Sequence, residues 1–351
     1  MADARAQIKF FGRKCGRKVK SRLMAESANT HELNLGCALA VWAAVLLSGL
    51  VAGLHMGFSG WMFAWAMVAS GILLAGMLLP AAPRVRERIL GWCRGGGALR
   101  STALAPLAAF GIYTLTVSGD WQMGLAGAAY ISAPTLLLLA AKRASARAGL
   151  LDYAAVLIVW LPVEFRWMYK LFPYPPPLTH TLTILLAVNA GLAAFVFTRE
   201  FPGIGYAVEW QLGFWSAIWV NLALFTVVAI PLGEAIGFIH WDPSLSRLRS
   251  LPLFAVGIFI FTAWPEEFLF RGLLQNLLAR TFRNQWVGLI AAAVIFGFSH
   301  ILHAPFPNWR YVLLATVAGI FYGRAWLKTG SLLPGAIVHG CVDVLWHLLF
   351  R

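Results

Sequence analysis

Apolar runs of about twenty residues recur from residue 35 to the C-terminus, and few charges interrupt them. As a helix, such a run spans the roughly 30 Å hydrocarbon core of a bilayer. Inside lipid every backbone N–H and C=O needs an internal partner, so repeated runs predict helices and not open sheets. The expectation is an all-α, polytopic transmembrane helix bundle. Composition agrees: 60% of the 351 residues are hydrophobic and only 12% are charged, against about 25% charged in soluble domains. At about twenty residues per span, the runs and their shorter companions make about ten to twelve helices.

The net charge of +14 raises nucleic acid as a partner. The distribution of the charge argues against it, because the basic residues cluster in short segments beside apolar runs. The segment 1–34 carries eight basic residues, from Arg5 to Arg22, against Asp3, Glu26 and Glu32. It is too charged for a signal peptide and no small-residue cleavage site follows, so it reads as a retained, basic cytoplasmic segment. Runs follow at 35–54, 61–80, 101–117 and 123–141. Arg84 to Arg100 lie in the second connection, with a Gly95–Gly97 break, and Lys142, Arg143 and Arg147 follow the fourth run. Basic and non-basic connections thus alternate, placing the N-terminus in the cytoplasm. The four runs hold almost no ionisable group and read as packing or lipid-facing scaffold. Cys15, Cys37, Cys93 and Cys341 show no paired spacing, which argues against a disulfide framework or a thiolate zinc site.

Near Gly149 the character changes, giving a three-part division: 1–34, a four-helix extension at 35–148, and a core at 149–351. A short apolar run at 151–162 is bracketed by Asp152 and Glu164. A proline-rich loop at 173–177 follows, then runs at 178–198 and 211–232, with Arg199 and Glu200 marking an interface between them. Residues 234–249 read as a polar loop.

Beyond 251 the runs acquire charge. Pro265 suits the first turn of a helix, so the expectation is a new helix over 265–282. Glu266 and Glu267 then lie at its positive end. Glu267 and Arg271 are spaced i,i+4 and share a face, while Glu266 is rotated about 100° away. The run at 286–302 ends in Phe296 and His300. A loop at 303–310 and a run at 311–327 lead to the last helix, 332–350, where His339, Asp343 and His347 share a face. Each of these groups has a bland reading as a hydrogen-bonded packing residue. That reading is weak at bilayer depth, where an ionised side chain costs at least about 2.5–3.5 kcal/mol.

Taken together, the groups are chemically complete for hydrolysis. A carboxylate beside a neutral imidazole can hold a water and take its proton, and a second imidazole can donate to an oxyanion. No Ser or Cys stands in a nucleophile context, so attack by activated water is the simpler mechanism.

In this order and spacing, Glu-Glu-x-x-x-Arg (Glu266, Glu267, Arg271), Phe-x-x-x-His (Phe296, His300) and His-x-x-x-Asp (His339, Asp343) resemble the CPBP family of CAAX prenyl and bacteriocin-processing (Abi) intramembrane proteases. The resemblance covers about 250 to the C-terminus by motif, and the family's core has about eight helices. It implies intramembrane endopeptidase activity with Glu266 as general base and His300 as its partner on the water. His339 and Asp343 would support the oxyanion, and Glu267, Arg271 and Phe296 would support the geometry. Asp343 stands where the eukaryotic prenyl proteases have Asn, and an ionised Asp accepts but does not donate. The favoured reading is metal-free, with zinc on Glu266, His300, His339 and Asp343 as the alternative. Implied partners are the lipid bilayer and a membrane-anchored protein or peptide: CAAX-like, bacteriocin precursor or C-terminally anchored. The expected location is a bacterial inner (plasma) membrane, multi-pass. Two other readings use the same residues: a transporter with a buried Glu/Arg/His proton relay, and a pseudo-protease that binds without cutting.

Overall fold

The computed structural model describes residues 31–95, 103–141 and 145–350. The basic segment expected over 1–34 lies outside them except for its last four residues, as do Lys142, Arg143 and Arg100. The chain is all-α, and its only strands among the described residues are two residues long. The described residues divide into two compact units, 32–201 and 202–350.

The first unit contains α1 (Leu35–His55), α2 (Gly60–Ala81), α3 (Pro83–Gly95), α4 (Leu104–Ser118), α5 (Trp121–Leu139), α6 (Leu150–Glu164) and α7 (Pro176–Thr198). Short polar side chains start two of them. Asn34 Oδ1 accepts from the Cys37 N–H at 2.8 Å, and Asp120 Oδ1 accepts from the Gln122 and Met123 N–H groups, satisfying donors that a helix start leaves open. α1 is apolar all round yet buries only Ala38 and Gly53. α7 is mostly buried and forms the unit's centre.

Two sequence expectations change here. The arginine-rich stretch after the second run is a helix, α3, not a loop. Its apolar residues Leu90 and Cys93 are three apart and buried, while Arg84, Arg88 and Trp92 are exposed. An amphipathic pattern of that period holds a helix despite its charge. Arg199, expected to mark an interface, and Asp152, expected to bracket a short apolar run, are interior. Arg199 Nε lies 2.9 Å from Asp152 Oδ1, both side chains are 2% exposed, and Arg199 also donates to the Arg147 carbonyl. Glu200 pairs with Arg94 of α3. Buried charges persist where they find opposite charges and hydrogen bonds.

The second unit contains α8 (Gly213–Ala235), α9 (Leu251–Thr281), α10 (Gln285–Phe298), α11 (Trp309–Thr329) and α12 (Leu332–Leu349). The break expected at Pro265 is absent. α9 runs 31 residues without interruption, so Glu266 and Glu267 sit at its middle and not at a helix start. The reason lies in the π-helical turns that flank the pair, Phe259–Ala263 and Phe268–Gln275. A proline lacks an N–H and crowds the carbonyl four residues before it. The wider turn ending at Ala263 gives that ring room, and such turns recur at functional sites.

Among the described residues, seven helices are long and apolar enough to cross a membrane: α1, α2, α5, α7, α8, α9 and α12, while α4 and α10 are shorter apolar helices. α11, expected as a span, falls outside this set. It is 21 residues long but carries Arg310, Arg324 and Lys328, and it packs against α8, α10 and α12. Close approach to α10 depends on Gly297. A Cβ there would lie 2.6 Å from the Val312 carbonyl oxygen of α11.

Candidate active site

The middle of α9 supplies two adjacent carboxylates with opposite environments. The Glu267 side chain is fully enclosed, whereas Glu266 is 31% exposed. This follows from the roughly 100° rotation between neighbours on a helix. One carboxylate is enclosed in the packed interior and the other keeps part of its surface exposed.

Glu267 is the hub. Its Oε2 lies 3.1 Å from Arg271 Nε, one turn along α9. The N–H is not aimed at that oxygen, so the contact is an ion pair without hydrogen-bond geometry. Arg271 is itself held from other sides. Its Nη2 donates to the Gly319 carbonyl of α11 at 3.3 Å, and its guanidinium lies 4.6 Å from the centre of the Phe296 ring and 5.5 Å from that of Tyr322. A planar, always-charged guanidinium suits such a stacked, buried place.

The second oxygen of Glu267 reaches α12. His339 Nδ1 lies 3.2 Å from Glu267 Oε1. A carboxylate accepts, so Nδ1–H donates, and the partner of one ring nitrogen fixes the orientation of the other. His339 Nε2 is thereby presented to Glu266 Oε2 at 3.8 Å and Asp343 Oδ2 at 3.6 Å. Tyr322 stacks on the imidazole, with centroids 4.6 Å apart and planes 16° apart. Space for Glu267 comes from Gly335, one turn before His339, where a Cβ would lie 2.9 Å from Oε2.

His300 arrives from just beyond α10. Its Nδ1 lies 2.9 Å from the Phe296 carbonyl oxygen, which also accepts from Ser299 Oγ at 2.7 Å. A carbonyl only accepts, so Nδ1 carries the proton and Nε2 is left as an acceptor. Phe296 links the two histidines: its ring centroid is 4.9 Å from that of His300 and 5.8 Å from that of His339. Asp343 is 26% exposed and His339 only 5%. Glu266 and Asp343 are therefore the partly exposed members of the cluster, and the imidazole and Glu267 are enclosed.

Glu266, Glu267, Arg271, His339 and Asp343 are thus in direct contact, and His300 joins them through Phe296. His347 does not: it stacks on Phe254 at 4.0 Å, away from the cluster. Tyr311, Tyr322 and Gly335 lie outside the three sequence motifs. A signal existed in α11, where Tyr311, Ala315, Ala318 and Tyr322 fall at i, i+4, i+7 and i+11, the stripe of one helix face. Among the described residues, no group of three or more His, Cys, Asp and Glu side chains is arranged to hold a metal ion.

A polytopic helix bundle with paired acids and imidazoles at the middle of a span belongs to a small set of membrane proteins, in which such groups carry protons, ions or hydrolytic chemistry. Residues 248–345 match a family model described as Rce1-like, type II CAAX prenyl endopeptidase Rce1-like. This agrees with the resemblance carried by the three motifs, all of which fall inside the matched stretch, and it supports a membrane protease in general. No curated protein and no solved structure matches the chain.

Proposed function

We propose that the chain is an intramembrane endopeptidase that hydrolyses a peptide bond of a membrane-anchored substrate with activated water. The observation that supports this most is the contrast between the two glutamates. Glu267 is enclosed and spent on Arg271 and His339, while Glu266 is 31% exposed beside His339 and Asp343. A purely structural cluster would leave no reason for a second acid, whose buried Oε2 lies 3.8 Å from His339 Nε2 without a hydrogen bond.

In this reading Glu266 takes a proton from a water that His300 Nε2 helps to hold, and the water attacks the scissile carbonyl. His339, as an imidazolium, donates through Nε2 to the oxyanion. Glu267 and Arg271 fix the imidazole. The mechanism is metal-free, and zinc held by Glu266, His300, His339 and Asp343 is the alternative. The substrates that fit are a CAAX-like C-terminus, a peptide precursor or a C-terminally anchored protein, reached from a bacterial inner membrane with the N-terminus cytoplasmic. The test is cleavage of such reporters in proteoliposomes. Glu266→Gln and His300→Ala should each lose at least about 10²-fold in kcat while the protein stays membrane-inserted. Undiminished cleavage by Glu266→Gln would remove it as the base. A chelator should leave the rate unchanged; loss restored by zinc favours the metal alternative.

A further inference from the structure

An oxyanion formed in acyl transfer is held by more than one preorganised donor in well-built sites. Here His339 offers one, and Asp343, as a carboxylate, offers none. A neighbouring group that can donate is Tyr311, in the first turn of α11. Its ring lies 4.5 Å from His300, 5.0 Å from His303, 5.2 Å from Phe238 and 5.6 Å from Trp346, centroid to centroid. Trp346 is three residues beyond Asp343 on α12, so both lie on the face that Tyr311 meets. The carboxylates of Asp343 and Glu266 act electrostatically on the Tyr311 hydroxyl, which places it within their field.

Four aromatic contacts fix the ring, yet the hydroxyl makes no hydrogen bond among the described residues. Packing alone does not call for that oxygen. Phenylalanine would keep every ring contact. The oxygen keeps accessible surface beside His300 and is available to a group that arrives there.

We propose that Tyr311 is a further catalytic residue, its O–H donating a hydrogen bond to the substrate carbonyl oxygen as the tetrahedral intermediate forms. The proposal rests on the protease reading. In the step, water oxygen bonds to the carbonyl carbon, the C=O electron pair moves onto oxygen, and the water proton goes to Glu266. Collapse re-forms C=O and breaks C–N, and Glu266 returns the proton to the leaving amine. Tyr311 keeps its proton throughout.

The experiment compares wild type and Tyr311→Phe in proteoliposomes, with a farnesylated CAAX peptide and a C-terminally anchored single-span protein as probes. Cleavage kinetics and thermal unfolding in detergent are both measured. The expected result is a fall of about 10²-fold in kcat, with KM within about twofold and the melting temperature unchanged. An unchanged kcat overturns the proposal. So does a fall in kcat that comes with an equal loss of thermal stability, since that marks a packing residue. Wild type that cleaves neither probe sinks the protease reading and this proposal with it, whereas wild type that cleaves beside a fully active Tyr311→Phe sinks this proposal alone.

Discussion

His339 Nδ1 lies 3.2 Å from Glu267 Oε1, and the same carboxylate faces the Arg271 guanidinium with its other oxygen. One enclosed acid thus ties the middle of α9 to α12 and fixes the direction in which His339 presents Nε2. Everything exposed in the cluster hangs on this enclosed contact.

The two adjacent glutamates should therefore fail in different ways. Glu267→Gln leaves Arg271 buried without its counter-charge, a change that typically costs about 3–5 kcal/mol. The expected outcome is a large loss of thermal stability together with lost cleavage. Glu266→Gln, at a partly open side chain, should lose cleavage with little change in melting temperature. Equal stability losses for the two would contradict the division of labour. Differential scanning fluorimetry in detergent, paired with reporter cleavage, separates the cases.

Arg271→Lys tests whether shape matters beyond charge. Lysine keeps the charge but loses the plane that lies against Phe296 and Tyr322 and the fork that reaches the Gly319 carbonyl. The two side chains are not interchangeable at a stacked site. Arg271→Lys should unfold at a clearly lower temperature than wild type and cleave more slowly. A variant indistinguishable from wild type in both would show that only the charge is needed.

The motif spacing made part of this visible beforehand. An i,i+4 separation predicts that Glu267 and Arg271 meet, and the rotation of Glu266 away from them follows from helix geometry alone. The link from Glu267 to His339 was not legible, because 72 residues separate the partners and only tertiary packing joins them. Nor was the role of Gly335, which no local pattern distinguishes from a helix-weakening residue. Pro265 misled for a physical reason. Its local rule places it at a helix start, but the π-helical turn just before it gives the ring the room that the rule assumes is missing. The arginine-rich α3 misled in the opposite way: charge suggested a loop where a three-residue apolar period held a helix.

Gly335→Ala sets two effects of opposite sign against each other. In a helix interior, alanine is favoured over glycine by about 1 kcal/mol. The added Cβ, however, would meet Glu267 Oε2 at 2.9 Å and the Tyr322 carbonyl oxygen at 3.2 Å. Glu267 has little freedom to move, since both of its oxygens are engaged. The clash should win, giving a less stable protein with at least about tenfold lower activity, near 1.4 kcal/mol in the barrier. A stabilised and fully active Gly335→Ala would mean that the carboxylate is looser than its contacts indicate.

Asp343 offers the sharpest comparison, because an amide has nearly the shape of a carboxylate but can donate as well as accept. Asp343 Oδ2 stands 3.6 Å from His339 Nε2, and the side chain is about a quarter exposed. If its work is to face His339 and flank the oxyanion, Asp343→Asn meets the steric demand and adds an N–H donor where the carboxylate had none. Cleavage should then stay within about tenfold of wild type. Asp343→Leu removes both abilities and should lose at least about 10²-fold, comparable to deleting an oxyanion-hole donor. The measurement is kcat for both variants on the same reporter, with melting temperature as a check on folding. If Asn proves as inactive as Leu, the negative charge itself is required, and Asp343 then acts by holding His339 as an imidazolium and not by its shape.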